Sequence, residues 1–315
     1  MFSVVIPVYK NEGSIPRLLK SLTDLARGMQ GHMEVVFVVD GSPDQSFSML
    51  RDALPKLEFS AQLLAHSRNF GSFPAIRTGL KAAKGEYFGV MAADLQEPPD
   101  LMIEFFSALK SDECDVVIGS RVRRNDPWTS QLASRMFWGM YRRLIVTDMP
   151  EGGVDVFGCN RVFKEHLLNL TESRSSLVAL IFWLGFRRKI VGYERLIREE
   201  GSSSWTLRKK IDYMLDSIFA FTDYPIRLLT RIGLFGCVIS TVIALIILIA
   251  RLTHQISLPG YVPTMLVVLF FGALNIFGLG LVGTYAWRAY ENSKQRPLSV
   301  VAVEIDNSKD QNEQR

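Results

Sequence analysis

Between Ile232 and Ala250 the chain runs for 19 residues without a charged side chain, bracketed by Arg231 and Arg251. As a helix rising 1.5 Å per residue this run would be roughly 28 Å long, the thickness of a bilayer's hydrocarbon core. From Leu252 to Trp287 there is again no Asp, Glu, Lys or Arg. Within that stretch Val262–Trp287 is long enough to span with some tilt, and Gly272, Gly278, Gly280 and Gly283 would let a neighbouring helix come close. Both segments favour two transmembrane helices over a buried hairpin of a soluble domain. Arg227 and Arg231 precede the first, Arg288, Lys294 and Arg296 follow the second, and the connecting loop has only Arg251. The positive-inside rule then puts the large N-terminal part and the C-terminal tail in the cytoplasm, as in a multi-pass protein of the inner (plasma) membrane.

The remaining length supports one sizeable core, since 48% of the 315 residues are hydrophobic. The net charge of +4 is unevenly spread, and Arg187–Lys210 carries eight Lys/Arg against three Glu. Such a local patch suits phosphates or an anionic membrane surface, and no nucleic-acid partner is expected. Cys114, Cys159 and Cys237 lie far apart and match no metal or disulfide spacing, so a reducing compartment is expected. No basic stretch precedes the first apolar run, so no signal peptide is expected.

Short apolar runs alternate with helical patterns through the first half. Strands are expected at Phe2–Val8, Met33–Val39, Gln62–Ala65, Tyr87–Ala92 and Val116–Gly119. Helices are expected from Ser14, a possible cap, to about Ala26, after the Asp40-Gly-Ser-Pro-Asp turn to about Leu54, and near Pro74–Ala83. This alternation predicts an α/β fold, a mostly parallel sheet with helices on both faces. Further on, Trp128–Ile145 and Leu207–Phe221 each carry an apolar stripe flanked by Arg or Lys. Near membrane spans, such helices suit an interfacial position. Glu304–Arg315 is polar and expected to be disordered.

The stretch Gly89–Asp100, GVMAADLQEPPD, ends an apolar run in a lone carboxylate, Asp94. Open α/β sheets bind ligands at the carboxyl edge of their strands. A metal that holds phosphates needs only one or two protein carboxylates. An Asp after a strand also caps turns and helices, and the residues alone leave both roles open.

Several segments together carry a resemblance: Val4–Glu12 (VVIPVYKNE), Val38–Ser46 (VVDGSPDQS), Ser67–Leu80 (SRNFGSFPAIRTGL), Met91–Pro99 (MAADLQEPP), Gly119–Arg121 (GSR), Tyr193–Lys210 (YERLIREEGSSSWTLRKK) and Lys294–Pro297 (KQRP). The chain resembles the family-2 glycosyltransferases of GT-A (Rossmann-like) fold, in the polyprenyl-phosphate branch that includes dolichol-phosphate mannose synthases and bacterial undecaprenyl-phosphate glucosyltransferases. The resemblance implies a catalytic domain over residues 1–206, amphipathic interface helices over 207–230, two transmembrane helices over 231–288 and a partly disordered cytoplasmic tail over 289–315. It implies inverting transfer of a hexose from a nucleotide sugar such as UDP-glucose to undecaprenyl phosphate, giving a lipid-linked sugar for modification of a surface glycan such as lipopolysaccharide. GDP-mannose or a UDP-amino sugar is the alternative donor, and a non-catalytic donor-binding membrane protein is the alternative class. Mg²⁺ or Mn²⁺, a lipid bilayer and a homo-oligomer, tetrameric as in relatives, belong to the same implication.

Position by position, the resemblance implies that Pro7, Tyr9, Glu12 and Asp40 line the nucleoside pocket and that Arg68 sits near the donor diphosphate. Asp94 and Gln96 match the metal-binding end of the motif, and Asp155 matches an acid near the donor sugar and acceptor. Arg121, Arg195, Ser204, Arg208 and Lys209 match groups that hold the acceptor phosphate, with Asp94, Asp155 and Arg195 as the catalytic set. Relatives read Asp-x-Asp where this chain has Ala92-Ala93-Asp94, and often two acids where it has Val39-Asp40. The Gln-x-x-Arg-Trp motif of processive polysaccharide synthases and a triphosphate-binding loop are both absent from the sequence.

Overall fold

A computed structural model describes residues 1–123, 139, 141–143, 145, 146, 148–150, 153, 154, 156–172, 175–196, 207–253 and 260–307. The chain divides into two compact units, one made of Met1–Asp212 and the segment from Arg296, the other of Tyr213–Gln295.

The first unit is built on a mostly parallel sheet. Its centre is β1 (Phe2–Val8), β2 (Met33–Val39), β3 (Ser60–His66) and β4 (Tyr87–Val90), all parallel. Every residue of β2, MEVVFVV, is buried, as expected of a strand covered on both faces. Beyond β4 come β6 (Val156–Asn160), which runs antiparallel, then β5 (Val116–Arg123) and β7 (Arg188–Glu194), which are parallel to each other. On the opposite edge β8 (Val301–Asp306) pairs antiparallel with β3.

Helices cover both faces. On one, Leu18 and Leu22 of α1 (Ile15–Gly28) and Phe105 and Phe106 of α4 (Asp100–Lys110) share a core with Val4, Ile6 and Phe37. On the other, Gly79 of α3 (Ser72–Ala82) lies against Val5 and Val38, so closely that a Cβ there would be 2.3 Å from Val5 Cγ1. Phe105 is fully buried, and Phe105→Ala would cost about 3–5 kcal/mol. α2 (Ser46–Ala53) follows β2. α5 (Arg161–Asn169) follows β6, and Arg77 of α3 donates to the carbonyls of Leu167, Leu168 and Leu170 at its end. α6 (Leu177–Trp183) is an apolar helix capped by Ser176. At the amino end of the sheet the buried Glu34 accepts from Ser3 Oγ at 2.6 Å, the Gly85 amide at 3.1 Å and Gln62 Nε2 at 3.3 Å. Those donors offset the cost of burying its charge.

Helix α7 (Leu207–Phe221) leads into the second unit, which contains α8 (Tyr224–Leu252) and α9 (Tyr261–Ser293). Both are long and apolar enough to cross a membrane. Leu234, Phe235, Ile276 and Leu279 are each more than 65% exposed. Arg288 of α9 pairs with Asp216 at 2.5 Å, and Tyr285 meets Phe219 edge-on with ring centroids 5.4 Å apart.

The structure corrects the expected disorder of the tail at its start. Glu304, Ile305 and Asp306 belong to β8, because the edge of β3 offers a ladder of unpaired backbone groups. Asn307 locks the end: its side chain accepts from the Ala61 amide at 2.7 Å and donates to Leu54 O at 3.1 Å, while its amide donates to Ala61 O at 3.1 Å. The Trp128–Ile145 helix lies mostly outside the described residues.

Candidate active site

The strand order steps from β1 to β2 and β3 on one side, then returns to β4 on the other. The order reverses between β1 and β4, and the carboxyl edge at such a reversal is the usual ligand position in an open α/β sheet. Among the described residues the loops after β1, β2, β3 and β4 and the ends of β5 and β7 lie at this edge.

The loop after β1 is knitted to the loop after β2. Glu12 accepts from the Gln45 amide at 2.9 Å while its own amide donates to Asp44 Oδ2 at 3.1 Å. Asp44 also accepts from Ser42 Oγ at 2.6 Å and Ser46 Oγ at 2.9 Å. Burial pushes the Asp44 carboxyl up, but the hydrogen bonds from Ser42, Ser46 and the Glu12 and Ser46 amides outweigh it and leave it below its ordinary value. Ser14 Oγ donates to Ala93 O at 3.0 Å, which ties this loop to the one after β4. Pro7, opposite Val38 in the ladder, and Tyr9, 37% exposed, stand at the carboxyl end of β1.

Asp40, which the resemblance assigns to the nucleoside pocket, is buried at the end of β2. It is 2% exposed and accepts from the Phe70 amide at 2.9 Å, the Gly71 amide at 2.7 Å and His66 Nδ1 at 2.8 Å. It therefore anchors the loop after β3 that carries Arg68. Gly41, at φ +56°, lets the backbone of Arg68 come so near that a Cβ would sit 2.3 Å from its carbonyl carbon. Arg68 itself is exposed, its guanidinium 4.1 Å from the centroid of the Phe70 ring.

The loop after β4 holds Asp94, Leu95 and Gln96. Asp94 is half-buried, and its Oδ1 accepts from the Gln96 amide at 3.4 Å. Leu95 adopts φ +54°, a left-handed conformation that costs a branched side chain roughly 1–2 kcal/mol. That turn sends the buried Gln96 toward the end of β7. There Arg195 Nη2 donates to Gln96 Oε1, and the Leu196 amide donates to Gln96 O at 2.9 Å. Asp94, Gln96 and Arg195 are thus one cluster. Arg121, half-buried, stands opposite Tyr193 in the β5–β7 ladder, two positions before Arg195.

Asp155 and Ser204 lie outside the described residues. Arg208 and Lys209 fall in the first turn of α7, with side chains outside the described set. Among the described residues no three His, Cys, Asp or Glu gather as a metal-binding group. The β4 loop offers two carboxylates, the half-buried Asp94 and the buried Glu97. That donor set fits a hard cation that takes most of its ligands from phosphates and water.

Two polar groups at this edge escaped the sequence reading. Asp44 had a local signal, since Ser-Pro-Asp-Gln-Ser ahead of a helix is turn-capping chemistry. His66 had none: it ends a strand and looks like any last residue.

The family model for glycosyl transferase family 2 matches residues 3–170. A Bacillus subtilis protein named as a glycosyltransferase, CsbB, is 31% identical over 94% of this chain and 90% of its own length. The bactoprenol glucosyl transferase of Shigella phage SfV is 28% identical over 96% of this chain and 98% of its own. Among solved structures, S. aureus TarS in complex with UDP-GlcNAc aligns with a TM-score of 0.46 and 21% identity over 65% of this chain and 61% of that one. Glucosyl-3-phosphoglycerate synthase from Mycobacterium tuberculosis, in complex with Mn²⁺, UDP and glucosyl-3-phosphoglycerate, aligns with a TM-score of 0.46 and 16% identity over 70% and 77%.

Proposed function

The chain belongs to glycosyl transferase family 2, and from that membership we propose that it transfers a hexose from a nucleotide sugar, a UDP-sugar such as UDP-glucose, to a polyprenyl phosphate at the cytoplasmic face of a membrane. The observation that carries this reading is the contact between Gln96 and Arg195. It puts a carboxylate suited to a cation, Asp94, and a guanidinium suited to a phosphate at one point of the carboxyl edge. The full-length similarity to a bactoprenol glucosyl transferase supports the acceptor class.

The donor must release a nucleoside diphosphate from its anomeric carbon. Asp94 would hold Mg²⁺ or Mn²⁺, which when bound neutralises charge on that leaving group. Gln96, tied to Arg195, keeps the Asp94 turn in place. Arg68 faces the diphosphate, and Tyr9 and Pro7 flank the nucleoside. The nucleophile is a phosphate monoester whose second pKa is about 6, so it is largely dianionic at neutral pH and needs no strong base. Two anions must still approach each other. Arg195 and Arg121, with Ser204, Arg208 and Lys209, meet the acceptor phosphate by charge-assisted hydrogen bonds. Asp155 orients the acceptor or the sugar. A single displacement at the anomeric carbon inverts its configuration.

A polyprenyl chain leaves the bilayer at a cost of about 0.8 kcal/mol per CH₂, so the enzyme must work at the surface. The two apolar helices serve that need. The β3–β8 pairing supports an even number of crossings, because the segments before and after the two helices share one sheet and so one side.

The test is a donor screen. The purified full chain in detergent is incubated with undecaprenyl phosphate, Mg²⁺ or Mn²⁺, and a panel of UDP- and GDP-sugars. One glycolipid product, formed only with added cation, is expected. No product from any donor, with the protein shown to be folded, would overturn the reading in favour of a non-catalytic donor-binding protein.

A further inference from the structure

Beneath the Arg68 guanidinium lies a column of side chains with no part in the chemistry above. Arg68 covers the Phe70 ring. Phe70 in turn meets the His66 imidazole edge-on, with centroids 5.5 Å apart and planes at 86°. The His66 side chain has no exposure to solvent, and both its nitrogens are engaged. Nδ1 lies 2.8 Å from Asp40 Oδ1, and Nε2 lies 2.9 Å from Thr78 Oγ1. Thr78 Oγ1 lies 2.8 Å from Ser299 Oγ, in the segment beyond α9. The same segment accepts from the Ser67 amide at Val300 O, 3.0 Å away.

The chemistry of these groups fixes a direction. With a neutral imidazole against a carboxylate, Nδ1 carries the proton and donates to Asp40. Nε2 then accepts from Thr78, whose oxygen accepts from Ser299. Asp40 closes the arrangement by accepting the Phe70 and Gly71 amides. An aliphatic side chain would fill this buried volume with no polar group to satisfy. Histidine there holds Asp40 in one orientation and gives Phe70 an edge to pack on. In a low-dielectric interior such a fully satisfied network is stiff.

We propose that His66 is a positioning residue for the donor side of the site, setting Arg68 through Phe70 and Asp40, and that Ser299 from the C-terminal segment completes this support. The proposal rests on the reading that Arg68 faces the donor diphosphate. It makes the stretch after the second apolar helix a working part of the nucleotide-sugar site.

The experiment uses the full chain in detergent with Mg²⁺. UDP affinity is measured by calorimetry, KM for UDP-glucose and for undecaprenyl phosphate by turnover, and folding by thermal unfolding. His66→Phe keeps a ring against Phe70 and removes both hydrogen bonds. It is expected to weaken UDP binding and raise the UDP-glucose KM about 10-fold, with the undecaprenyl phosphate KM unchanged within about twofold. Ser299→Ala is expected to shift the donor values about 3–5-fold in the same direction, and His66→Gln, which can still donate and accept, to recover part of the loss. A folded His66→Phe protein with wild-type UDP affinity overturns the proposal, as does a loss shared equally by donor and acceptor. If His66→Phe does not fold, Ser299→Ala decides, and unchanged donor values there overturn the proposal. Arg68→Ala separates the layers. Wild-type UDP affinity in that variant overturns the donor reading of Arg68 and this inference with it. Weakened affinity in Arg68→Ala beside unchanged affinity in His66→Phe overturns this inference alone.

Discussion

Replacing Gly41 by alanine tests how the loops at the carboxyl edge are held. The new Cβ would stand 2.3 Å from Arg68 C, 2.4 Å from Asn69 N and 2.7 Å from Arg68 Cα. Carbon atoms rest about 3.5–4 Å apart, so the Arg68 backbone must retreat by roughly 1–1.5 Å. The left-handed φ of +56° adds roughly 1–2 kcal/mol for a residue with a Cβ. The retreat also stretches the bonds from Asp40 to the Phe70 and Gly71 amides, and hydrogen bonds to a charged group are worth about 1.5–3 kcal/mol each. A total near 3 kcal/mol corresponds to a fall of roughly 6–12 °C in the unfolding temperature of a unit this size. A 1 Å displacement at a reacting site costs on the order of 100-fold in rate. Thermal unfolding in detergent and the kcat/KM for UDP-glucose read the two effects. Gly28→Ala is the control, because a Cβ there meets nothing within 4 Å and φ is not positive. Gly41→Ala behaving like Gly28→Ala in both assays would refute the packing argument.

Four further outcomes are expected. Asp94→Ala abolishes sugar transfer while the unfolding temperature stays within a few degrees, and wild-type turnover in that variant sinks the cation assignment. Arg195→Lys keeps the charge but loses the planar fork that reaches Gln96, so the kcat/KM for undecaprenyl phosphate falls about 10-fold or more; an effect confined to the donor KM contradicts the acceptor role. Asn307→Ala strands the Ala61 amide and the Leu54 carbonyl, a cost of about 2–3 kcal/mol or roughly 5–10 °C, and an unchanged melting curve shows that β8 is held otherwise. The Asp44 carboxyl sits below its ordinary 3.8 in the folded chain, so its contribution to stability is complete above that value and is lost as pH falls through the folded one. Asp44→Asn should therefore lose stability at pH 6 and show a shallower decline below about pH 4, as read from urea midpoints; parallel pH profiles for the two proteins would tell against it.

Much of the first unit could be read from local pattern. β2 is legible because seven buried residues in a row leave no other element for MEVVFVV, and α7 is legible because Leu207, Ile211, Leu215 and Ile218 repeat at helical spacing. β6, β7 and β8 were not. Val156–Asn160 is short and carries Gly158 and Cys159, Arg188–Glu194 opens with two cations, and Val301–Asp306 ends in acids. Such strands are defined by the partner they pair with, which local pattern does not contain. The site divides in the same way. Asp94 announces itself as a carboxylate at the end of a strand. Its neighbour Arg195 is joined to Gln96 across 99 residues, a contact that no spacing encodes. The burial of Asp40 is not legible from its turn, because its three donors come from the next strand and loop.

The last strand also sets a clock on the chain's birth. Ala61 and Asn307 are 246 residues apart. At ordinary synthesis rates of ~5–20 residues per second, β3 emerges roughly 10–50 s before the strand that covers it. For that interval its backbone edge is open to any passing strand. Both apolar helices are synthesised inside the same interval. The sheet at whose edge the site lies is therefore finished only after its anchor has been made, so a chain released before Ser299 would leave β3 bare, without Ser299 or Asn307, and ready for a chaperone or a protease rather than a substrate.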